Sequence, residues 1–184
     1  MFDNSGKVRT IYSHFGKFLS EAKLDSLNQM KEFSNQFFKN QGVTFTVYHD
    51  NKGVERIFPF DIIPRIINSN EWEIIEKGII QRITALNLFL KDVYHEKFII
   101  QDQVIPASLL INNDCYLRQM MRLEVPKNVY THISGVDLIR DKSGELFVLE
   151  DNLRTPSGVS YMLENREITR RLYPNLMPKH KVQP

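Results

Sequence analysis

Trp72, Ile75, Ile79, Ile83, Leu86, Leu90 and Val93 follow one another at spacings of 3, 4, 4, 3, 4 and 3 residues. That spacing predicts one amphipathic helix of about six turns, at ~3.6 residues per turn. An apolar stripe of this length must be covered by other elements, so the rest of the chain has to pack along it. Ser69 or Asn70 is placed to cap the helix, and Glu73, three residues after Asn70, takes the reciprocal position of a capping box.

Around this helix the sequence alternates helical and strand patterns. Leu24, Leu27, Met30 (or Lys31), Phe33 and Phe37 predict a helix over 24–40. After Gly42, the β-branched and aromatic run 43–48 predicts a strand. A turn at Asp50, Asn51, Lys52 and Gly53 leads to a return strand over 54–58. Pro59 and Pro64 bracket an irregular link, because neither can donate a ladder hydrogen bond. Residues 97–124 read as a shorter mixed region. Residues 130–140 predict a strand, Asp141, Lys142, Ser143 and Gly144 a turn, and 145–150 its partner. A polar loop over 151–158 and a helix over about 160–171 follow. Antiparallel hairpins with separate helices place the chain in the α+β class.

The 184 residues are 42% hydrophobic and 25% charged, enough to bury a core in a single domain-sized unit. A formal charge of +2 gives no general attraction to nucleic acid or anionic lipid. The single cysteine, Cys115, excludes an internal disulfide and a cysteine-based zinc cluster, which fits a reducing cytoplasm. No run approaches the ~18 apolar residues of a membrane span. Residues 1–7 carry no apolar signal-peptide segment.

The 130–150 hairpin gathers acids. With a turn centred on Lys142 and Ser143, Asp137 lies opposite Val148 and diagonal to Glu150 on one face. Asn152 joins that face if the strand continues, and Asp151 points the other way. Two carboxylates at diagonal spacing can share a cation with oxygen ligands at about 2.1 Å, as Mg²⁺ requires. A one-residue bulge would destroy this parity. The competing reading is a solvent-exposed face with scattered charges. Against it, Val136, Leu138, Val148 and Leu149 flank the acids and suggest the middle of a sheet, where idle carboxylates are costly. In the loop, Arg154 could reach a phosphate or an acyl oxygen. Main-chain N–H groups around Thr155, Ser157 and Gly158 could cradle an anion at the start of the last helix. An N-cap loop with Ser157 or Ser160 as cap explains the same residues.

Other polar residues read more plainly. Asp61 and Arg65 form an ion pair fixing the proline-bracketed link, or line an acceptor groove together with Arg56. Arg82 and Asn87 sit on the polar face of the long helix. Glu164, Asn165 and Arg166 begin the last helix near the loop. The five histidines show no metal-ligand spacing, and parity puts His132 on the face opposite Asp137. Cys115 reads as a buried or inert thiol. No Walker-type loop and no G-x-S-x-G elbow is present.

The stretch 150–166, Glu-Asp-Asn-Leu-Arg-Thr-Pro-Ser-Gly-Val-Ser-Tyr-Met-Leu-Glu-Asn-Arg, resembles the signature of circularly permuted ATP-grasp proteins, relatives of glutathionylspermidine synthetase. Residues 55–67, 81–87 and 132–138 match as well, so the resemblance covers nearly the whole chain. It implies an ATP- and Mg²⁺-dependent carboxylate–amine ligase working through an acyl phosphate. It implies Asp137, Glu150 and Asn152 as metal ligands within a hairpin region spanning 129–158. Arg154 would neutralise charge, and Thr155, Ser157 and Gly158 would hold the nucleotide. The partners implied are ATP and a small carboxylate, amine or peptide substrate, with no nucleic acid and no membrane. Because relatives of this kind continue well beyond residue 184, residues 1–184 are expected to be a single partial domain, an incomplete N-terminal portion inactive without a lysine-bearing C-terminal half. The rival expectation is a non-catalytic remnant or binding module.

Overall fold

A computed structural model describes residues 1–3, 5–49 and 52–176. The chain divides into two compact units, one formed by 1–68 with 158–184 and the other by Ser69–Ser157.

The first unit contains α1 (Ser13–Glu21), α2 (Leu24–Gln41), the strands β1 (Thr44–His49) and β2 (Lys52–Ile57), and its final helix (Val159–Leu172). Helix α2 runs over the predicted span, but its buried side differs from the predicted stripe. Ser34, Phe37 and Phe38 are buried, whereas Leu24 and Phe33 are exposed. The helix turns toward Phe37, Phe38 and Ile168, which form one core with Val43, Phe60 and Leu172 beside it. Gly42 ends α2 in the left-handed conformation (φ 67°), where a side chain would be strained. The Val43 N–H then returns to the Phe38 carbonyl at 2.9 Å.

β1 and β2 pair antiparallel, with Thr44 opposite Ile57 and Phe45 opposite Arg56. Asp50 and Asn51, in the expected turn, lie outside the described residues, as do residues 177–184 with His180. A second core joins Tyr12, Phe15 and Tyr173. Hydroxyl groups tie the proline-bracketed link into this unit. Tyr173 donates to the Ile62 carbonyl at 2.8 Å, and the Ile66 N–H donates to the Tyr12 hydroxyl at 2.9 Å. Burial pushes the Tyr173 phenol up to about 12. Asp61 accepts the Ile63 N–H at 2.9 Å, closing a local turn. The expected Asp61–Arg65 ion pair is not among the ion pairs of the described residues.

The second unit is organised on α3 (Ser69–Tyr94), the long helix of the apolar stripe. Ile75 and Val93 of that stripe are buried, Ile79, Ile83, Leu86 and Leu90 are half-buried, and Trp72 sits at the exposed end. Ser69 and Asn70 are inside the helix rather than capping it, and Glu73 pairs with Lys77 one turn on (2.6 Å) instead of closing a capping box. The mixed region holds two single-turn helices, α4 (Phe98–Gln101) and α5 (Ser108–Ile111). Asp92 caps the first of these through the Phe98 and Ile99 N–H groups. Strands β3 (Gly135–Arg140) and β4 (Leu146–Asn152) complete the unit as a two-stranded antiparallel ladder. β3 begins five residues later than predicted, so strand parity does not apply to His132, which is exposed before the strand. Together with the final helix of the first unit, now α6, these elements make the chain a mixture of helices and small antiparallel sheets, as the α+β class expects.

Candidate functional site

The β3–β4 register is not the one a straight hairpin would give. Arg140 pairs with Leu146, Ile139 with Phe147 and Leu138 with Val148, but Asp137 pairs with Glu150, Val136 with Asp151 and Gly135 with Asn152. Leu149 is the extra residue, a β-bulge in β4. The connection is also longer than expected. Five residues, 141–145, separate the last ladder pair. Asp141 accepts from the Ser143 hydroxyl and from the Gly144 and Glu145 N–H groups, and Gly144 takes a positive φ of 95°. These contacts hold the Asp141 carboxyl below the usual carboxylate range, the Ser143 hydroxyl foremost.

The turn and the bulge each shift parity by one, and the two shifts cancel. Without the bulge, Asp137 would face Leu149, and Glu150 would fall on the other side of the ribbon. With it, Asp137 and Glu150 are directly opposed rather than diagonal, and Asn152 lies on the same face, above Gly135. The Asn152 amide donates to Glu150 Oε1 at 3.0 Å, which holds the amide group beside the carboxylate.

The surroundings differ from the sheet interior inferred from the apolar flanks. The ladder has two strands, Asp137 and Glu150 are exposed, and Leu149 is 63% exposed. A two-stranded ribbon does not enclose its own side chains, so flanking hydrophobicity does not report burial here.

Asp151 points to the opposite side, where Arg82 of α3 grips it. Arg82 Nε and Nη2 donate to both carboxylate oxygens at 2.6 to 2.9 Å. That fork lowers the Asp151 pKa and raises that of Arg82. Five residues along α3, the half-buried Asn87 accepts from the Tyr130 N–H (2.7 Å) and the Thr131 N–H (3.2 Å) and donates to the Thr131 hydroxyl (3.1 Å). Near the start of α3, Glu71 accepts from Arg140 at 2.8 Å. Arg82 and Asn87, read from sequence as polar-face residues, are therefore attachment points for β4 and for the segment entering β3.

The loop after β4 passes closely over Gly135. A Cβ on Gly135 would stand 3.0 Å from the Pro156 side chain and 3.6 Å from the Asn152 Cβ. Arg154, Thr155 and Ser157 are exposed, and Arg154 forms no ion pair among the described residues. Gly158, at φ 89°, is the N-cap of α6, and among the described residues no side chain caps that helix, so neither Ser157 nor Ser160 does so. Within α6, Asn165 Oδ1 is buried with no hydrogen-bond partner among the described residues. Cys115 is exposed, so of the expected buried or inert thiol the buried alternative does not hold. Among the described residues no three His, Cys, Asp or Glu side chains gather at one point, and the candidate trio consists of two carboxylates and one amide. No helix of the described residues is long and apolar enough to cross a membrane.

The family described as circularly permuted ATP-grasp type 2 matches residues 64–184. An uncharacterized protein of Synechocystis sp. is 44% identical over 184 residues, which is all of this chain and 38% of that protein. An uncharacterized protein of Mycobacterium leprae is 42% identical over 183 residues and is covered to 32%. A Frankia alni protein named putative glutamate–cysteine ligase 2-3 is 35% identical over 176 residues, 96% of this chain and 20% of that protein. The chain thus spans about a third of the length of the first two relatives. By its matched residues, this chain belongs to the circularly permuted ATP-grasp type 2 family.

Proposed function

We propose that this chain is the metal-holding part of an ATP- and Mg²⁺-dependent carboxylate–amine ligase of the glutathionylspermidine synthetase kind. The observation that carries the reading is the direct opposition of Asp137 and Glu150. Like charges directly across a ladder destabilise it. A cation between them removes that cost. The donor set fits Mg²⁺, since carboxylates and an amide offer only hard oxygen ligands once Asn152 turns its oxygen inward. Family membership and the ligase name of the Frankia relative support the same reaction class.

Asp137, Glu150 and Asn152 would hold the ion. Bound there, Mg²⁺ supplies charge neutralisation for phosphoryl transfer from ATP. Arg154, exposed and without an ion-pair partner among the described residues, is set to meet a phosphate or the acyl oxygen of the substrate. Thr155, Ser157 and Gly158 offer hydroxyl and main-chain donors for phosphate oxygens. In the reaction a substrate carboxylate oxygen takes the γ-phosphoryl group of ATP, releasing ADP. An amine then attacks the acyl carbon, phosphate departs, and an amide bond remains. The lysine-bearing part that grips the nucleotide is assigned to a complementary C-terminal portion, and the setting to the cytoplasm.

Titration of the isotopically labelled chain with Mg²⁺ and then ATP tests the proposal. Resonances of Asp137, Glu150 and Asn152 are expected to move with Mg²⁺, and Thr155 to Gly158 with ATP. ATP affinity is expected to be weak without the complementary portion. Metal-dependent shifts confined to other acids would reject it.

A further inference from the structure

We infer that Arg82 is a positioning residue whose grip on Asp151 selects the bulged register of β4, which, after the five-residue 141–145 connection, turns Glu150 toward Asp137. The inference rests on the metal-site reading above for its consequence, though not for its geometry. In β4 three consecutive polar residues alternate sides, with Glu150 and Asn152 on the acid face and Asp151 on the Arg82 face. Bulges accommodate one extra residue at a cost in ladder pairing, so something must favour the bulged ladder over the regular one. A one-residue slip would remove the bulge at Leu149. It would also carry Asp151 onto the Asp137 face and Glu150 to the other side.

Arg82 opposes that slip. Its fork takes both oxygens of Asp151 at 2.6 to 2.9 Å, and Asp151 is the more buried partner, with 14% of its side chain exposed. After a slip the guanidinium would lose this bidentate partner, and a point charge could not reproduce its planar fit. Asn87, on the same helix, fixes Tyr130 and Thr131 ahead of β3 through both main-chain N–H groups. One strand therefore cannot simply follow the other. The 81–87 motif is thereby explained as the part of α3 that sets both strands of the acid-bearing ribbon. Neither Arg82 nor Asn87 needs to touch metal or substrate for this role.

The test uses the full 184-residue chain and two readouts. The first needs no metal. Cross-strand nuclear Overhauser contacts report the register, Asp137 with Glu150 in the bulged ladder and Asp137 with Leu149 in the regular one. Arg82→Gln is expected to weaken or replace the Asp137–Glu150 contact, Arg82→Lys to do so partially, and the exchange of Arg82→Asp with Asp151→Arg to restore it. The second readout is binding of Mn²⁺ alone, followed by paramagnetic broadening. Arg82→Gln is expected to weaken it about tenfold to a hundredfold, as loss of an outer support does. The melting temperature should fall only slightly, since a partly exposed pair makes a small but measurable contribution to global stability. If Arg82→Gln keeps the bulged register, the inference falls. If Arg82→Gln does not fold, the exchanged pair decides, and failure to recover the bulged register in a folded exchanged protein overturns the inference. If the unaltered chain shows no Mn²⁺ broadening at Asp137 and Glu150, the metal reading falls, while the register measurement still decides the role of Arg82.

Discussion

Asp137 stands directly across the β3–β4 ladder from Glu150, and the bulge at Leu149 puts it there. A two-stranded ribbon would be more stable with almost any neutral residue at one of these positions. Their opposition is therefore a stability cost that metal binding would repay.

Glu150→Gln separates the two effects. It relieves the repulsion and removes one charge from the proposed ligand set, so the metal-free chain should be equally stable or slightly more so. Affinity for Mn²⁺ should fall at least about tenfold, because ligand charge sets the affinity of oxygen sites. Thermal melts with and without Mn²⁺ check this. In a protein of the relatives' full length, the same substitution should slow ATP turnover by orders of magnitude, and Arg154→Lys should impair turnover more than folding. A Glu150→Gln chain that binds Mn²⁺ as tightly as the unaltered one would remove Glu150 from the ligand set.

The Arg82–Asp151 pair makes the ribbon acid-sensitive. The Arg82 hydrogen bonds hold the Asp151 carboxyl below its ordinary value. A carboxyl with a lowered folded pKa stabilises the fold above its unfolded pKa, about 3.9 for Asp. That contribution is lost as pH falls through the lowered folded value. The difference in stability between the unaltered chain and Asp151→Asn should be constant above about pH 5 and should shrink below pH 4. Paired urea titrations across that range measure it. A difference unchanged down to pH 2 would mean that the pair contributes nothing to folding. Because Arg82→Gln and Asp151→Asn break the same bond, Asp151→Asn should also loosen the register, despite pointing away from the acids.

How far the sequence could be read depended on whether a feature was local. The 72–93 stripe located α3 because seven apolar residues repeat at helical spacing, and tertiary packing then buried that side. The α2 stripe misled at Phe33, since which neighbouring positions become buried depends on where Phe38 and Ile168 meet. Helix α1 was not anticipated. Its burial rests on Phe15 packing against Tyr173, more than 150 positions away in sequence. The shared face of Asp137 and Glu150 was legible, but the route to it was not. The residues predict an even turn and a regular ladder, whereas the fold uses an odd turn and a bulge. Arg82 and Asn87 carried a usable signal, as polar residues five apart beside an apolar stripe, but their partners lie 69 and 43 positions away.

Ile168 tests the core of the first unit. It is fully buried against Phe37 and Phe38, where deleting its outer carbons leaves a cavity. Ile168→Ala should cost about 2–5 kcal/mol. Urea denaturation should show a lower midpoint with an unchanged slope, since the surface exposed on unfolding stays nearly the same. A loss under about 0.5 kcal/mol, the usual range of surface changes, would show that the side chain is not packed as described.

Gly135 faces the loop that carries Arg154, Thr155 and Ser157. An added Cβ would meet the Pro156 Cβ at 3.0 Å, and a proline ring has little freedom to swing aside. Gly135→Ala should therefore displace the loop rather than distort the strand, where alanine is otherwise acceptable. The stability loss should be modest, about 1 kcal/mol, comparable to mild overpacking. Chemical shifts over 153–157 should move while those of 138–148 stay in place, and ATP-dependent shifts of Thr155 and Ser157 should weaken. Pro156→Gly removes the opposing atom, so the double variant Gly135→Ala with Pro156→Gly should recover the strand environment of Asn152. It should not recover ATP response fully, because the glycine loosens the loop that the proline had fixed. If Gly135→Ala leaves the 153–157 shifts unchanged, the loop does not rest on the strand, and its residues are not held near the acids in the way the proposed site requires.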